Sequence, residues 1–279
     1  MIDIGANLSH EQFKNDLPHV LDKAFKSNLD SIILTSTDFE SFESNIEIIK
    51  NFNQYNLYTT IGLHPHNAKN FSGFKSKFLE ALQSENLKHI VSIGEFGLDY
   101  YRMKSTKQEQ INAMQEILSV AENNSLPLFL HERGAFSDFV EILKAYRGEN
   151  KKVVHCFTGN KEQLKAYLDL DCYIGITGWI TDKNRNKDLL EAIKYIPIDK
   201  LMIETDCPYL CPKNMPLTHK RNEPAYLYYI CTYLATMYSK SCSQIVHNLN
   251  SNTTDFFGIS LISLSNISLD MLGKKCHKP

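Results

Sequence analysis

The chain alternates between short runs of apolar residues and longer stretches in which apolar residues recur every three or four positions. The short runs are typical of buried β-strands, and the periodic stretches, among them residues 107–124 and 224–238, are typical of helices. Eight short runs can be traced, and they end near Ala6, Ser36, Leu63, Gly94, Leu130, Val154, Thr177 and Thr205. Consecutive ends are separated by the length that one strand, one helix and two loops require.

Eight strand and helix units in about 250 residues predict an α/β fold, the (β/α)8 or TIM barrel. The alternative is a doubly wound open sheet. However, no Gly-x-Gly-x-x-Gly follows the first strand, so the usual nucleotide-binding signal of that fold is missing. We expect a single barrel domain over residues 1–258 and a tail of unknown role over residues 259–279.

Charge and cysteine content limit the binding partners and the cellular compartment that can be expected for the protein. A formal net charge of −2 excludes a globally basic nucleic-acid coat but allows a local basic patch. The seven cysteines are scattered and do not form a disulfide framework, which favours a reducing compartment. No apolar run approaches a membrane span and no leader segment is recognisable. We therefore expect a cytoplasmic protein, or a nuclear one in a eukaryote, that is monomeric and has no membrane partner.

Polar residues with metal-binding side chains follow several of the predicted strands. In a barrel, functional groups lie at the C-terminal ends of the strands. Strands four, five, six and eight are followed, in that order, by Glu95, His131, His155 and Asp206. Strand three adds His64 and His66. One such histidine alone is more often an ordinary polar residue, but four ligands at one level in four units predict a metal site.

The types of ligand indicate which metals fit. Two imidazoles and two carboxylates suit Mg²⁺, Mn²⁺, Zn²⁺ or Fe²⁺ better than they suit a thiolate zinc site. Cys207 and Cys211 provide only two thiols on a proline-rich loop. We expect a divalent cation, Mg²⁺ foremost with Mn²⁺ or Zn²⁺ as alternatives, to compensate the charge of Glu95.

Six segments together resemble a known family. They are IGEFGLDYYR, HERGAF, HCFTG, YIGITGW, IETDCPYL and RNEPAYL. In order and spacing they are similar to the signature blocks of the TatD family of metal-dependent deoxyribonucleases. The resemblance extends from MIDIGANL to FFGI. It implies a TIM-barrel hydrolase that cleaves DNA phosphodiester bonds, as a 3′-to-5′ exonuclease. By matching segment, Glu95, His131 and His155 are then metal ligands, and Asp206 is a ligand or the general base.

The chain departs from the wider family at strand one. Many members carry His-x-His there, whereas this chain has Gly5 and Asn7, as in the branch that includes TatD itself. The number of metal ions, one or two per chain, therefore stays open, and we expect at most one to be tightly retained. Histidines introduced at positions 5 and 7 would raise the tightly bound number toward two if the backbone tolerates a larger side chain at position 5.

The expected chemistry uses Glu95 and Asp206 as catalytic residues. A divalent cation polarises a phosphoryl oxygen and lowers the pKa of a bound water. Asp206 is the best candidate to accept the proton of that water. By strand alternation Glu204 faces the same side, where it orients a metal ligand or a substrate-binding group, or forms a plain salt bridge.

Basic and aromatic residues near the expected site indicate the substrate. Arg133 follows His131 and is either a phosphate ligand or an exposed loop arginine. The expected substrate-binding residues on the last two loops are Lys183, Arg185, Lys220 and Arg221, although Arg221 is somewhat better suited to capping the next helix. His64 is assigned to the same surface. Trp179, Tyr100 and Tyr101 are candidates for stacking bases, so we expect single-stranded DNA or a frayed end.

Two other functions remain open on sequence alone. An amidohydrolase-like enzyme for a small cyclic amide or lactone would use the same ligands but would require a small closed pocket and no basic loops. A catalytically silent, metal-stabilised scaffold is the other alternative, and the complete set of ligands argues against it.

Overall fold

The computed structural model of the chain describes residues 1–216 and 221–261. Lys220 and most of the expected tail lie outside the described residues. The last described helix ends at Phe257, and Gly258 follows it with a φ of +65°, in the left-handed region that favours glycine. The domain boundary expected at residue 258 stays a prediction.

Eight strands form one parallel sheet in which each strand pairs with the next along the chain. The strands are β1 Ile2–Ala6, β2 Ser31–Leu34, β3 Leu57–Ile61, β4 Ile90–Asp99, β5 Leu128–Arg133, β6 Lys152–Val154, β7 Cys172–Ile176 and β8 Leu201–Ile203. The sheet closes just beyond β8, where the Asp206 N–H donates to Gly5 O at 2.8 Å and the Asn7 N–H donates to Cys207 O at 2.9 Å. The predicted (β/α)8 barrel is confirmed.

The helices of the described residues connect and cover these strands. They are α1 Leu17–Lys26, α2 Phe39–Asn51, α3 Phe71–Gln83, α4 Lys107–Ala121, α5 Phe136–Ala145, α6 Lys161–Asp169, α7 Lys187–Ala192, α8 Leu227–Met237 and α9 Cys242–Phe257. Four of them begin with a capping box, in which the N-cap and N3 side chains bond reciprocally to the backbone. None of the helices in the described ranges is long and apolar enough to cross a membrane.

Apolar side chains fill the barrel below its C-terminal rim. One buried cluster joins inward-facing residues of six strands to the end of α9: Ile2, Ile4, Ile33, Val91, Phe129, Val153, Met202, Phe256 and Phe257. A filled interior of this kind is typical of TIM barrels. Chemistry is therefore confined to the C-terminal rim.

Strand β4 is longer than the sequence predicts. The apolar run was expected to end at Gly94, but the strand continues to Asp99, so Glu95 lies inside β4 and not after it. The extension pairs with β5, for example Gly97 with His131. Position 97 requires glycine, because its φ is +148° and a Cβ there would lie 2.0 Å from His131 O.

Candidate metal centre and active site

The C-terminal rim forms the floor of a cavity of about 1160 Å³. The floor carries seven titratable side chains that come from five different strands or the loops that follow them. They are His64, His66, Glu95, Asp99, His131, His155 and Asp206. All four metal ligands predicted from the sequence are thus brought to one cavity, and His64 is brought with them.

Glu95 lies at the centre of three imidazoles. Its Oε1 is 2.6 Å from His131 Nδ1, 2.7 Å from His155 Nε2 and 3.4 Å from His64 Nε2. Burial raises the pKa of Glu95, but the charges and hydrogen bonds of the surrounding histidines outweigh it and hold that pKa well below its usual range. The carboxylate is therefore ionised and is neutralised by groups that also bind metals.

The residues fit a divalent cation. One ligand atom from each of His64, Glu95 and His131 lies within 4.8 Å of the other two. Among the residues that the structure describes, buried His131 Nε2 has no hydrogen-bond partner, since Asp99 Oδ2 is 3.6 Å away. Burial lowers the pKa of His64 to about 3, so this imidazole is neutral, as coordination requires. Despite burial, Asp99 and Glu95 raise the pKa of His131, so this imidazole would have to lose a proton when it coordinates a cation.

Glu204 lies behind His155. Its side chain has no exposed surface, and it is not among the cavity-lining residues. Glu204 Oε2 is 3.5 Å from His155 Nδ1, while Oε1 accepts the Cys156 N–H at 2.6 Å. This geometry suits the expected orienting role, because Glu204 lies near Nδ1 of His155 while Nε2 of the same ring faces Glu95. It does not place Glu204 against a substrate.

Asp206 lines the cavity beside this cluster. Asn7 Nδ2 donates to its Oδ1 at 3.1 Å, and its backbone has a φ of +51°, in the left-handed region. Burial is the main reason that the pKa of Asp206 is raised to about 7, and Glu95 and Glu204 add to it against the opposing effect of His155. A carboxyl group with this pKa can exchange a proton near neutral pH.

Sequence reasoning missed Asp99 and the role of His66. Asp99 Oδ2 is 3.0 Å from His66 Nε2, and its Oδ1 accepts the N–H groups of Tyr101 and Arg102 at 2.9 Å and 2.8 Å. Although burial opposes it, His131 and His66 hold the pKa of Asp99 well below its usual range. The signal was present in the sequence, because Glu95 and Asp99 have the even spacing that puts both on one face of a continued strand.

Two of the basic residues predicted to bind the substrate line the cavity. Arg133 lines the cavity, with its guanidinium 4.1 Å from the centre of the Tyr101 ring. Arg185 also lines it, 4.1 Å from the Trp179 ring, and is paired with Asp182 at 2.7 Å.

Of the other three predicted basic residues, the two that the structure describes, Lys183 and Arg221, do not line the cavity. Lys183 is exposed but is not among the lining residues, and Lys220 lies outside the described residues. Arg221 pairs with Asp16 at 2.7 Å and with Glu223 at 2.9 Å, next to the helix it was expected to cap. Substrate binding by these three stays a prediction.

Three further basic residues line the cavity and were not singled out from the sequence. They are Arg102, Lys104 and Lys213. None of them forms an ion pair with another residue in the described part of the chain, whereas Arg185 and Arg221 do. Arg102 and Lys104 lie in the loop after β4, and their position depends on the extension of that strand to Asp99.

Comparisons with known proteins give a consistent result. The family model described as "TatD related DNase" matches residues 2–258. A Salmonella typhimurium protein named "3'-5' ssDNA/RNA exonuclease TatD" is 37% identical over 238 residues, which cover 84% of this chain and 90% of that protein. An Escherichia fergusonii protein of the same name is 33% identical over 263 residues, covering 93% and 100%. The crystal structure of a TatD family hydrolase from Entamoeba histolytica matches with a TM-score of 0.85 and 30% identity, over 92% of this chain and 97% of that one.

Proposed function

The chain belongs to the TatD-related DNase family, and from that premise we propose that it is a metal-dependent nuclease that removes nucleotides from the 3′ end of single-stranded DNA. The observation that carries the proposal is the ionised Glu95, enclosed by three imidazoles at the floor of a large cavity whose lining includes arginine and lysine side chains. The relatives named above are described as exonucleases of single-stranded DNA and of RNA, so RNA is a second polymer to test.

We propose that His64, Glu95 and His131 hold the cation, with His155 and Asp206 beside it. A cation bound there would polarise a phosphoryl oxygen and lower the pKa of a water. Because the set is rich in imidazole, it favours Mn²⁺ or Zn²⁺ as the tightly held ion, and Mg²⁺ suits an oxygen-rich position next to the substrate phosphate. Elemental analysis of extensively dialysed protein should then find no more than one retained ion per chain.

Side chains of the protein have the remaining roles in the reaction. Asn7 donates to Oδ1 of Asp206, so Oδ2 is the oxygen left to accept the proton of the attacking water. Glu204 holds His155 in the orientation that presents its Nε2 to Glu95. Asp99, fixed by two backbone N–H groups, orients His66 at the cavity wall.

The cavity favours an anionic polymer over a small neutral ring. Its volume of about 1160 Å³ exceeds what a cyclic amide or lactone would need. Five basic side chains line it, and they are Arg102, Lys104, Arg133, Arg185 and Lys213. These cations beside a metal site match a phosphate backbone and would give a substrate without charge no advantage.

The polarity of digestion tests the proposal. A single-stranded oligonucleotide with a free 3′ end should be shortened stepwise, whereas the same oligonucleotide with its 3′ end blocked by an inverted nucleotide should persist. Blocking the 5′ end instead should change nothing. Hydrolysis of a dihydropyrimidine but of neither oligonucleotide would support the amidohydrolase alternative.

A further inference from the structure

An exposed tyrosine stands on the cavity wall next to the candidate general base. Tyr209 lies three residues after Asp206 and has 51% of its surface exposed. Its hydroxyl has no hydrogen-bond partner, and no cation lies over its ring, among the residues that the structure describes. Trp179 and Tyr101 differ from it, because a guanidinium group covers each of their rings.

The backbone that carries Tyr209 is held firmly. The Tyr209 N–H donates to Asp206 O at 3.0 Å, and Pro208 O accepts the Asn222 N–H at 3.0 Å. On the other side, the loop passes so close to Gly178 that a Cβ there would lie 2.1 Å from Leu210 O. A fixed backbone with an exposed aromatic side chain is suited to binding, because little entropy is lost when a ligand contacts the ring.

His10 supports the ring from the loop after β1, which is the strand next to β8 in the closed barrel. The two ring centres are 5.6 Å apart at an interplanar angle of 83°, an edge-to-face arrangement. His10 Nδ1 accepts the Gln12 N–H at 3.2 Å, which fixes the orientation of the imidazole. His10 also lines the cavity, so the pair forms part of its wall.

We propose that Tyr209, supported by His10, is the stacking platform for a nucleobase of a nucleotide that flanks the scissile phosphate. This inference rests on the proposed nuclease function and adds the subsite that recognises a base. A phosphate bound at the cluster around Glu95 would lie beside Asp206. The base of a nucleotide attached to that phosphate would then lie on the part of the cavity wall where Tyr209 presents its ring. Stacking accepts every base, as an exonuclease that digests any sequence requires.

The test compares Tyr209→Ala with Tyr209→Phe, and uses Tyr195→Ala as the matched control. Tyr195 is equally exposed, at 53%, but lies on a different surface. Two probes are used: a short single-stranded oligonucleotide, and the same oligonucleotide with tetrahydrofuran in place of the bases of its 3′-terminal nucleotides. KM is measured with added Mn²⁺, and the dissociation constant is measured by fluorescence anisotropy in EDTA.

We expect Tyr209→Ala to raise both constants about tenfold for the normal oligonucleotide. Both constants should be unchanged for the abasic one, and Tyr209→Phe and Tyr195→Ala should behave as wild type. Equal constants for wild type and Tyr209→Ala, or equal losses on both probes, would overturn the proposed subsite while cleavage continued. Tyr209-dependent binding without cleavage would support the subsite and contradict the nuclease function.

Discussion

Glu95 Oε1 and His131 Nδ1 lie 2.6 Å apart at the floor of the cavity, on adjacent strands of the barrel. Both side chains line the cavity and not the apolar core, so their removal should leave the barrel folded. We predict that Glu95→Ala and His131→Ala each lower kcat on single-stranded DNA at least about 100-fold. Circular dichroism and the unfolding temperature check the fold. Retention of more than about a tenth of the activity at saturating metal would show that the site is assigned wrongly.

The basic cavity wall should control binding and not turnover. Neutralising Arg102, Lys104 and Lys213 together should reduce the slope of log Kd against log salt by about 2 units, since each phosphate contact on a single strand contributes about 0.7. A control that replaces three exposed lysines that do not line the cavity, Lys88, Lys194 and Lys240, should leave the slope unaltered. The turnover number at saturating DNA should stay constant in both. If the slope did not change when Arg102, Lys104 and Lys213 were neutralised, these residues would not contact the substrate.

The dependence of kcat on pH should reflect the protonation of Asp206. Because burial and the nearby carboxylates raise its pKa to about 7, Asp206 is protonated in acid and then cannot accept a proton. Activity should therefore fall as the pH decreases, with a midpoint at or below about pH 7, since a bound cation lowers this pKa further. Asp206→Asn should lower kcat and abolish this acidic limb. An identical limb in the variant, measured as log kcat against pH, would assign it to another group.

Gly5 should not tolerate a side chain. A Cβ at this position would lie 2.5 Å from Glu204 Oε2 and 3.2 Å from Phe129 Cζ, and both side chains are fully buried. We predict that Gly5→Ala lowers the free energy of unfolding by about 1–3 kcal/mol, measured with denaturant. Gly73→Ala, within α3 and with no atom near the added Cβ, should not destabilise.

The same contact bears on the second metal. The sequence alone predicts that the double variant Gly5→His/Asn7→His binds a second ion tightly. The structure predicts instead that the histidine at position 5 displaces Glu204 and unfolds the C-terminal rim. Elemental analysis of any folded double variant should find no additional retained ion. A folded variant with two retained ions would show that Glu204 has room to move.

The periodic parts of the chain were predictable, and the exceptions have physical causes. The eight apolar runs identified the strands because burial on both faces leaves a continuous apolar signal. The sequence pattern ends strand β4 too early because a carboxylate normally marks the first loop residue, whereas three histidines make a buried Glu95 acceptable within the strand. Asp99 was missed for the same reason.

Side-chain pairing was beyond the reach of sequence reasoning. Arg221 and Arg185 look alike in the sequence, yet Asp16, more than 200 positions away, pairs with the first, and only the second reaches the cavity. Likewise, the 51% exposure of Tyr209 and its contact with His10 depend on two loops that meet only in the fold. Local patterns identified the candidate ligands, but the closed barrel decided which groups are near them.

Hydrolysis of DNA should require a divalent cation at Glu95. The most direct measurement follows a 5′-labelled single-stranded oligonucleotide with EDTA-stripped protein as Mn²⁺ or Mg²⁺ is added back, for wild type, Glu95→Gln and Glu40→Gln. Glu40 is the control, because it lines the same cavity outside the histidine cluster. We predict no cleavage in EDTA, stepwise shortening from the 3′ end after metal addition for wild type and Glu40→Gln, and none for Glu95→Gln. Cleavage in EDTA, or full restoration of Glu95→Gln by metal, would show that hydrolysis does not depend on a cation held by Glu95.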